Sequence, residues 1–258
     1  MGDRRVLLTG AAGLIGSSVQ DQWDINGTTL VPVHRSETDL LAPGMAARLI
    51  EKELPAAVIH LAWCGASTAG NREATENAEW LRASLEIKSA CETLGAELYL
   101  TGSSLEVAAS QGDAYTEAKR RLYAASLDDI SGRKVTWLRP YYVFDPAQDS
   151  LRVVKAARAA RGTGEPVRLM TPFAQHDFVH VQDVASAIVA AVRHRLLGVV
   201  EIGSGHLHSV SELVERMGAE WTQATERLEE THAAHVADVA PLRSTGWRPL
   251  ATSAFFSD

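Results

Sequence analysis

The sequence predicts an α/β fold, a doubly wound parallel sheet with helices on both faces and a small C-terminal lobe. Three observations carry this reading. Short apolar runs alternate with helical patterns over the first half of the chain. The first of those runs ends in a glycine-rich turn, Gly10-Ala11-Ala12-Gly13-Leu14-Ile15-Gly16, that opens a helix. Past Phe144 the alternation loosens, which sets a border. The expected domains are 1–145, with parts of 175–205, for the sheet and 146–258 for the smaller lobe. At 258 residues the chain can bury a full core.

The elements follow in order. Arg5–Thr9 is an apolar strand and Leu14–Trp23 its helix. Thr29–His34 is the second strand. Met45–Glu53 is helical, with Ala46, Leu49 and Ile50 on one face. Ala57–Leu61 is a buried strand, followed by a polar loop and a long helix over 73–94. Leu98–Thr101 is the next strand, Tyr115–Ser126 a helix and Val135–Leu138 a further strand. The C-terminal lobe takes a helix over Leu151–Arg161, the stretch Phe178–Arg195, a strand over Val199–Ile202 and a helix over Ser211–Met217. The segment 219–240 is polar and helix-permissive, and it is assigned no role.

Composition removes several function classes. With 25 basic and 32 acidic residues the net charge is −7, which argues against nucleic acid or an anionic membrane as the main partner. No apolar run approaches the ~20 residues of a membrane-spanning helix. Met1–Arg5 leads straight into the first strand with no apolar signal region, so the expectation is a cytoplasmic protein. Cys64 and Cys91 form neither a disulfide framework nor a zinc motif. His176, His180, His206 and His208 are spread over loops and strands, and no metal site is expected.

Chemistry concentrates in two places. In the turn, Gly10 allows the tight bend, Gly13 lets backbone approach a pyrophosphate, and Gly16 lets helix and strand pack closely. Leu14 and Ile15 lie at the helix N-terminus, whose free N–H groups face the phosphates. This is a Rossmann-type dinucleotide-binding turn. Farther on, Tyr115-Thr116-Glu117-Ala118-Lys119 puts Tyr115 and Lys119 on one helix face at i and i+4. An ammonium beside a phenol favours the phenolate and suits the pair to proton transfer at neutral pH. Ser103 and Ser104, just after the preceding strand, are the hydroxyls available to the same substrate oxygen.

Together these motifs resemble the extended short-chain dehydrogenases/reductases of the nucleotide-sugar epimerase, dehydratase and ketoreductase type. Further matches run almost end to end. Ile59-His60-Leu61-Ala62-Trp63 resembles the family's "H-L-A-A" strand end beside the cofactor. Asn77 resembles its supporting asparagine, and Leu138-Arg139-Pro140-Tyr141-Tyr142-Val143-Phe144 its "L-R-P-x-x-V-Y-G-P". His176–Ala185 resembles "R-D-F-V-H-V-D-D-V-A", with His176 where many relatives carry arginine. Ile202–Gly205 with Ser209–Leu213, and Gly246-Trp247-Arg248-Pro249, resemble the family's closing motifs. The resemblance implies that Leu61, Ala62, Trp63, Pro140, Tyr141 and Val143 join the glycine turn, Tyr115 and Lys119 in holding the cofactor. Ser104, Tyr142 and His176 are then substrate-binding. An ungapped alignment on the strand, the preferred reading, makes Ser103 catalytic, orienting the carbonyl oxygen. Alignment on the downstream "E-V" makes Ser104 catalytic and puts Glu106 at a position used by dehydratases.

The end of the second strand addresses the cofactor. Val33-His34-Arg35-Ser36 has no acid to take a ribose 2′-hydroxyl, and Arg35 with Ser36 suits a 2′-phosphate. Asp39 and Leu40 resemble the shortened adenine-binding turn of 4-keto-sugar reductases. NADP is therefore expected, with NAD the alternative. An exchangeable NADPH suits net reduction. The resemblance then implies a reductase acting on the 4-keto group of nucleoside-diphosphate 4-keto-6-deoxyhexoses, with Tyr115 as acid. An NAD-dependent 4-epimerase and a non-catalytic dinucleotide-binding regulator are the competing readings. Arg152, Arg158 and Arg168 are candidate compensating charges for the missing arginine. Leu81, Leu85 and Leu122 suit either a monomer's core or a homodimer interface.

Overall fold

A computed structural model of the chain describes residues 4–64, 75–108, 113–132, 134–225 and 234–257. β1 (Arg4–Thr9) leads to α1 (Leu14–Asp21), β2 (Thr28–Val33), α2 (Met45–Glu53) and β3 (Ala57–His60). α3 (Glu76–Leu94), β4 (Glu97–Thr101), α4 (Leu105–Ala108), α5 (Ala114–Ser131) and β5 (Val135–Pro140) follow. Then come β6 (Tyr142–Phe144), α6 (Arg152–Thr163), β7 (Val167–Leu169), β8 (Gln175–His176), β9 (Phe178–His180) and α7 (Val181–Arg193). The chain finishes with β10 (Gly198–Ile202), β11 (His208–Ser209), α8 (Val210–Arg216), β12 (Trp221–Gln223), α9 (Ala240–Ser244) and α10 (Leu250–Phe256).

Six parallel strands form the central sheet in the order β10-β5-β4-β3-β1-β2. The chain moves outward from β1 to β2, then crosses back to β3 on the other side. The order therefore reverses between β1 and β3, and a crevice opens at their C-terminal ends. Both faces of the sheet are covered, which is why Val6, Leu7 and Leu8 of β1 are all fully buried. Val6, Leu8 and Ile59 join Val19 of α1 and Val184 and Ile188 of α7 on one face. Leu7, Val58 and Leu100 join Ile50, Ile87 and Leu122 on the other. The expected doubly wound α/β architecture is the one observed.

A third apolar cluster lies apart from both faces. It unites Phe144, Val154, Leu169, Phe178, Leu213 and Phe256. Small ladders accompany it: β6 with β9, β7 with β12, and β8 with β11. Two buried carboxylates hold these late segments in place. Asp177 accepts from Ser204 N–H (2.6 Å), Ser204 Oγ–H (2.7 Å), Gly205 N–H (3.1 Å) and Ala237 N–H (3.0 Å). Asp183 accepts from Ala251 N–H, Thr252 N–H and the Thr252 hydroxyl. The segment that the sequence left unassigned thus supplies β12, a backbone partner for Asp177 and, through Asp238 N–H, one for Glu201.

Element ends differ where polar residues mask an apolar face. α5 runs to Ser131 because Leu122, Ser126 and Ile130, at i, i+4 and i+8, all stay buried. Leu81 and Leu122 are likewise buried in the chain's own core, and Leu85 is partly so. Among the described residues no helix is long and apolar enough to cross a membrane.

Candidate active site

The crevice holds a cavity of about 570 Å³ walled by the β1–α1 turn, the ends of β3, β4 and β5, and the start of α5. Gly10 sits at φ +71°, and a Cβ there would lie 2.7 Å from Ala62 N. At Gly16 a Cβ would meet the Gly10 carbonyl oxygen at 2.1 Å. Both glycines are therefore demanded by the protein's own packing. Gly13 differs: a Cβ there meets only that oxygen, at 3.2 Å. Gly13 is also the N-cap of α1, and no side chain caps that helix. Its openness and the helix's positive end make a cradle for an anionic group. These are the features a dinucleotide pyrophosphate needs, so the residues present fit one. Leu14, Ile15, Leu61 and Trp63 extend the same wall, and Ala62 is buried behind it.

Tyr115 lies in the first turn of α5, where Asp113 caps by accepting from Thr116 N–H (2.8 Å). The partial positive charge of a helix start favours a phenolate there. Lys119, one turn on, is 3% exposed. Its Nζ donates to the Thr101 carbonyl (2.7 Å) and sits 3.7 Å from the Trp63 ring centroid and 5.8 Å from that of Tyr115. Burial pulls the Lys119 ammonium down to about 7, against the opposing pull of Glu106 and Cys64. Behind it, His60 bridges Thr9 Oγ1 (2.7 Å at Nδ1) and Ser84 Oγ (2.8 Å at Nε2). Ser84 donates to the Trp80 carbonyl, so its oxygen accepts from His60 Nε2–H, which fixes the tautomer. Burial, aided by Lys119, takes His60 down to about 3 and keeps it neutral.

Both serines line the cavity, and their hydroxyls have different commitments. Ser103 Oγ accepts from Leu105 N–H (3.2 Å), and Ser103 N–H donates to Glu106 Oε2 (3.3 Å), a capping box that opens α4. The Ser104 hydroxyl has no hydrogen bond among the described residues, while its N–H donates to the Pro140 carbonyl (3.0 Å). Glu106 faces away from the cavity. Its Oε1 accepts from Trp137 Nε1 (2.8 Å) and Arg139 Nε (2.6 Å). Arg139 also reaches Glu201 (2.9 Å), which accepts from the Tyr141 hydroxyl (3.0 Å). Burial raises the Glu106 carboxyl despite Arg139.

The far side of the cavity is formed by Pro140, Tyr141, Tyr142, Val143, Ser150, Leu151 and His176. His176 stacks on Tyr142 at 4.0 Å. The sequence did not flag Thr101, Gly102, Leu105, Ser150 or Leu151. Gly102 is required by the fold, since a Cβ there would meet the Trp137 ring at 2.3 Å. Arg35, Ser36 and Asp39 sit beyond the end of β2, exposed and away from this cavity, with Arg35 Nε 3.8 Å from Asp39 Oδ1. Leu40 is buried in the core beside Val33. Arg152, Arg158 and Arg168 are exposed, do not line the cavity, and Arg158 is paired with Asp149 (2.6 Å).

Residues 6–203 match the family model of the NAD dependent epimerase/dehydratase family. No curated protein matches the sequence. Among solved structures, the fold is similar to UDP-glucose 4-epimerase from Thermus thermophilus complexed with NAD (TM-score 0.75, 23% identity, covering 95% of this chain and 94% of that one). It is similar to RMD from Pseudomonas aeruginosa complexed with NADPH (TM-score 0.74, 24% identity, covering 95% and 93%). A GDP-mannoheptose C4 reductase from Campylobacter jejuni with NADP bound is also similar (TM-score 0.74, 18% identity, covering 96% and 94%). At these identities the likeness is one of fold.

Proposed function

The chain belongs to the NAD dependent epimerase/dehydratase family, and on that premise we propose that it is an NADPH-dependent ketoreductase. Its substrate in this reading is a nucleoside-diphosphate 4-keto-6-deoxyhexose, reduced at the 4-keto carbon. The observation that carries the reaction is the convergence of Tyr115, Lys119 and the Ser103–Ser104 pair on one cavity at the sheet's switch point. A nicotinamide dinucleotide held by the glycine turn, with Leu61, Trp63, Pro140, Tyr141 and Val143 as walls, supplies the hydride when bound.

The chain's own residues handle the proton. Tyr115 gives its phenolic proton to the carbonyl oxygen as the alkoxide develops. Lys119, with its ammonium beside the phenol ring, stabilises the phenolate that remains. Ser103 takes the role of orienting donor, since its Oγ only accepts from Leu105 N–H and keeps its proton, with Ser104 beside it on the same cavity as the alternative. Tyr142 and His176 face the substrate end. Glu106, turned toward Arg139 and Trp137, argues against dehydration, in which an acid must reach the substrate. The presence of both Tyr115 and Lys119 argues against a non-catalytic regulator.

Arg35 and Ser36, with no acid at the strand end, support NADP. The second reading, an NAD-dependent 4-epimerase, draws on Asp39, whose carboxylate near Arg35 opposes a 2′-phosphate. Titration with NADPH and NADH, followed by energy transfer from tryptophan emission, separates the two. The reductase binds NADPH more tightly, and Arg35→Ala weakens that binding about tenfold. Tight NAD(H), carried through purification, overturns the NADP assignment.

A further inference from the structure

Lys119 is an unusual cation. It has three N–H donors, and burial leaves almost none of them to water. One goes to the Thr101 carbonyl. Among the described residues no carboxylate forms an ion pair with it. What it has instead is the face of Trp63 at 3.7 Å, well inside the ~6 Å reach of a cation–π contact. Trp63 is itself held on three sides. Its Nε1–H donates to Asn77 Oδ1 (2.9 Å), its ring stacks on Trp80 (6.4 Å), and it meets Tyr115 edge-on (6.3 Å). The indole is therefore a fixed surface, and it touches both members of the acid–base pair.

We propose that Trp63 is a positioning residue, whose indole face holds the Lys119 ammonium charged and beside Tyr115. The proposal rests on the reading of Tyr115 and Lys119 as the acid–base pair. Two of the three donor directions of Lys119 are then used by the protein, and the third is left for the cavity. Other groups facing the ammonium do not replace the indole. His60, on β3, is neutral. Burial raises the Cys64 thiol, just after β3, so it carries no charge at neutral pH. Glu106, on α4, attracts Lys119 from a distance, with its oxygens bound to Ser103, Trp137 and Arg139. Tyr115, on the same helix, contributes a neutral phenol before the reaction. Burial lowers the Lys119 ammonium, and the indole face opposes that pull by favouring the charged form.

Two readouts test this. The first is a pH titration of tryptophan emission in the cofactor-free protein. Wild type shows a step near pH 7 that is absent in Lys119→Met and in Trp63→Leu. The second is NADPH affinity against pH, where binding weakens as Lys119 loses its charge. In Trp63→Leu the midpoint moves acidward by about one pH unit, and Trp63→Phe restores about half of it. If Trp63→Leu does not fold, Trp63→Phe alone carries the test, with a shift of about half a unit. Unchanged midpoints in the Trp63 variants, or an emission step that persists in Trp63→Leu, overturn the proposal. Full turnover by Tyr115→Phe instead overturns the acid–base reading and leaves the emission step intact, so the two failures are distinguishable.

Discussion

The two walls of the cavity are built from different materials. On the β1–α1 side the shape is backbone: Gly10 at positive φ, Gly16 against the Gly10 carbonyl, and Gly13 open to a ligand. On the β4–β5 side the shape is side chain. Ser103 is tied to Glu106, Glu106 to Trp137 and Arg139, Arg139 to Glu201, and Glu201 to Tyr141. The backbone wall fails when an atom is added. The side-chain wall fails when a partner is removed, because a buried group then loses hydrogen bonds that water does not replace. The first suits a group common to many reactions, and the second positions the hydroxyls that distinguish one reaction from another.

Tyr115 stands between the walls, and neither can replace it. Tyr115→Phe lowers turnover about a thousandfold while NADPH affinity stays close to wild type, as read by steady-state rates and emission titration. Glu106→Ala attacks the side-chain wall alone. It removes one partner of a buried pair and costs about 3 kcal/mol of stability by denaturant unfolding. Folded Glu106→Ala protein still binds NADPH within about twofold, since the glycine turn is intact. A large loss of affinity in the folded variant breaks the comparison. Gly16→Ala attacks the backbone wall and costs about 2 kcal/mol, because the new Cβ overlaps a carbonyl that cannot move freely. Gly13→Ala sharpens the contrast: less than about 1 kcal/mol of stability is lost, and NADPH affinity falls more than in any stability-matched variant.

The same division explains what could be read from the sequence. The glycine turn and the Tyr115–Lys119 pair each lie within one short segment, so spacing alone exposes them. The doubly wound parallel class followed from the alternation of apolar runs and helices, which needs no long-range information. The choice between Ser103 and Ser104 was not legible, because the two are adjacent and both line the cavity. Nor was the Glu106–Arg139–Glu201 link, whose members stand 33 and 62 positions apart. The stretch 219–240 was opaque for another reason. Ala237 and Asp238 are held by their backbone N–H groups, which leave no mark on side-chain identity. Leu40, read as facing an adenine, is instead core, since its apolar side chain completes the cluster around Val33 and Ala46. Trp63 was visible as a motif residue, but its place over Lys119 required the fold.

Net reduction at the Tyr115 site is open to direct test. The most direct measurement incubates the protein with NADPH and a nucleoside-diphosphate 4-keto-6-deoxyhexose, following nicotinamide absorbance while the sugar product is identified. One NADPH is oxidised for each 4-keto group reduced, and both changes are lost in Tyr115→Phe. A 4-keto sugar left unreduced with no consumption of NADPH, together with C4 inversion of a 4-hydroxy nucleotide sugar in the presence of NAD, would contradict this and make the epimerase the function of this site.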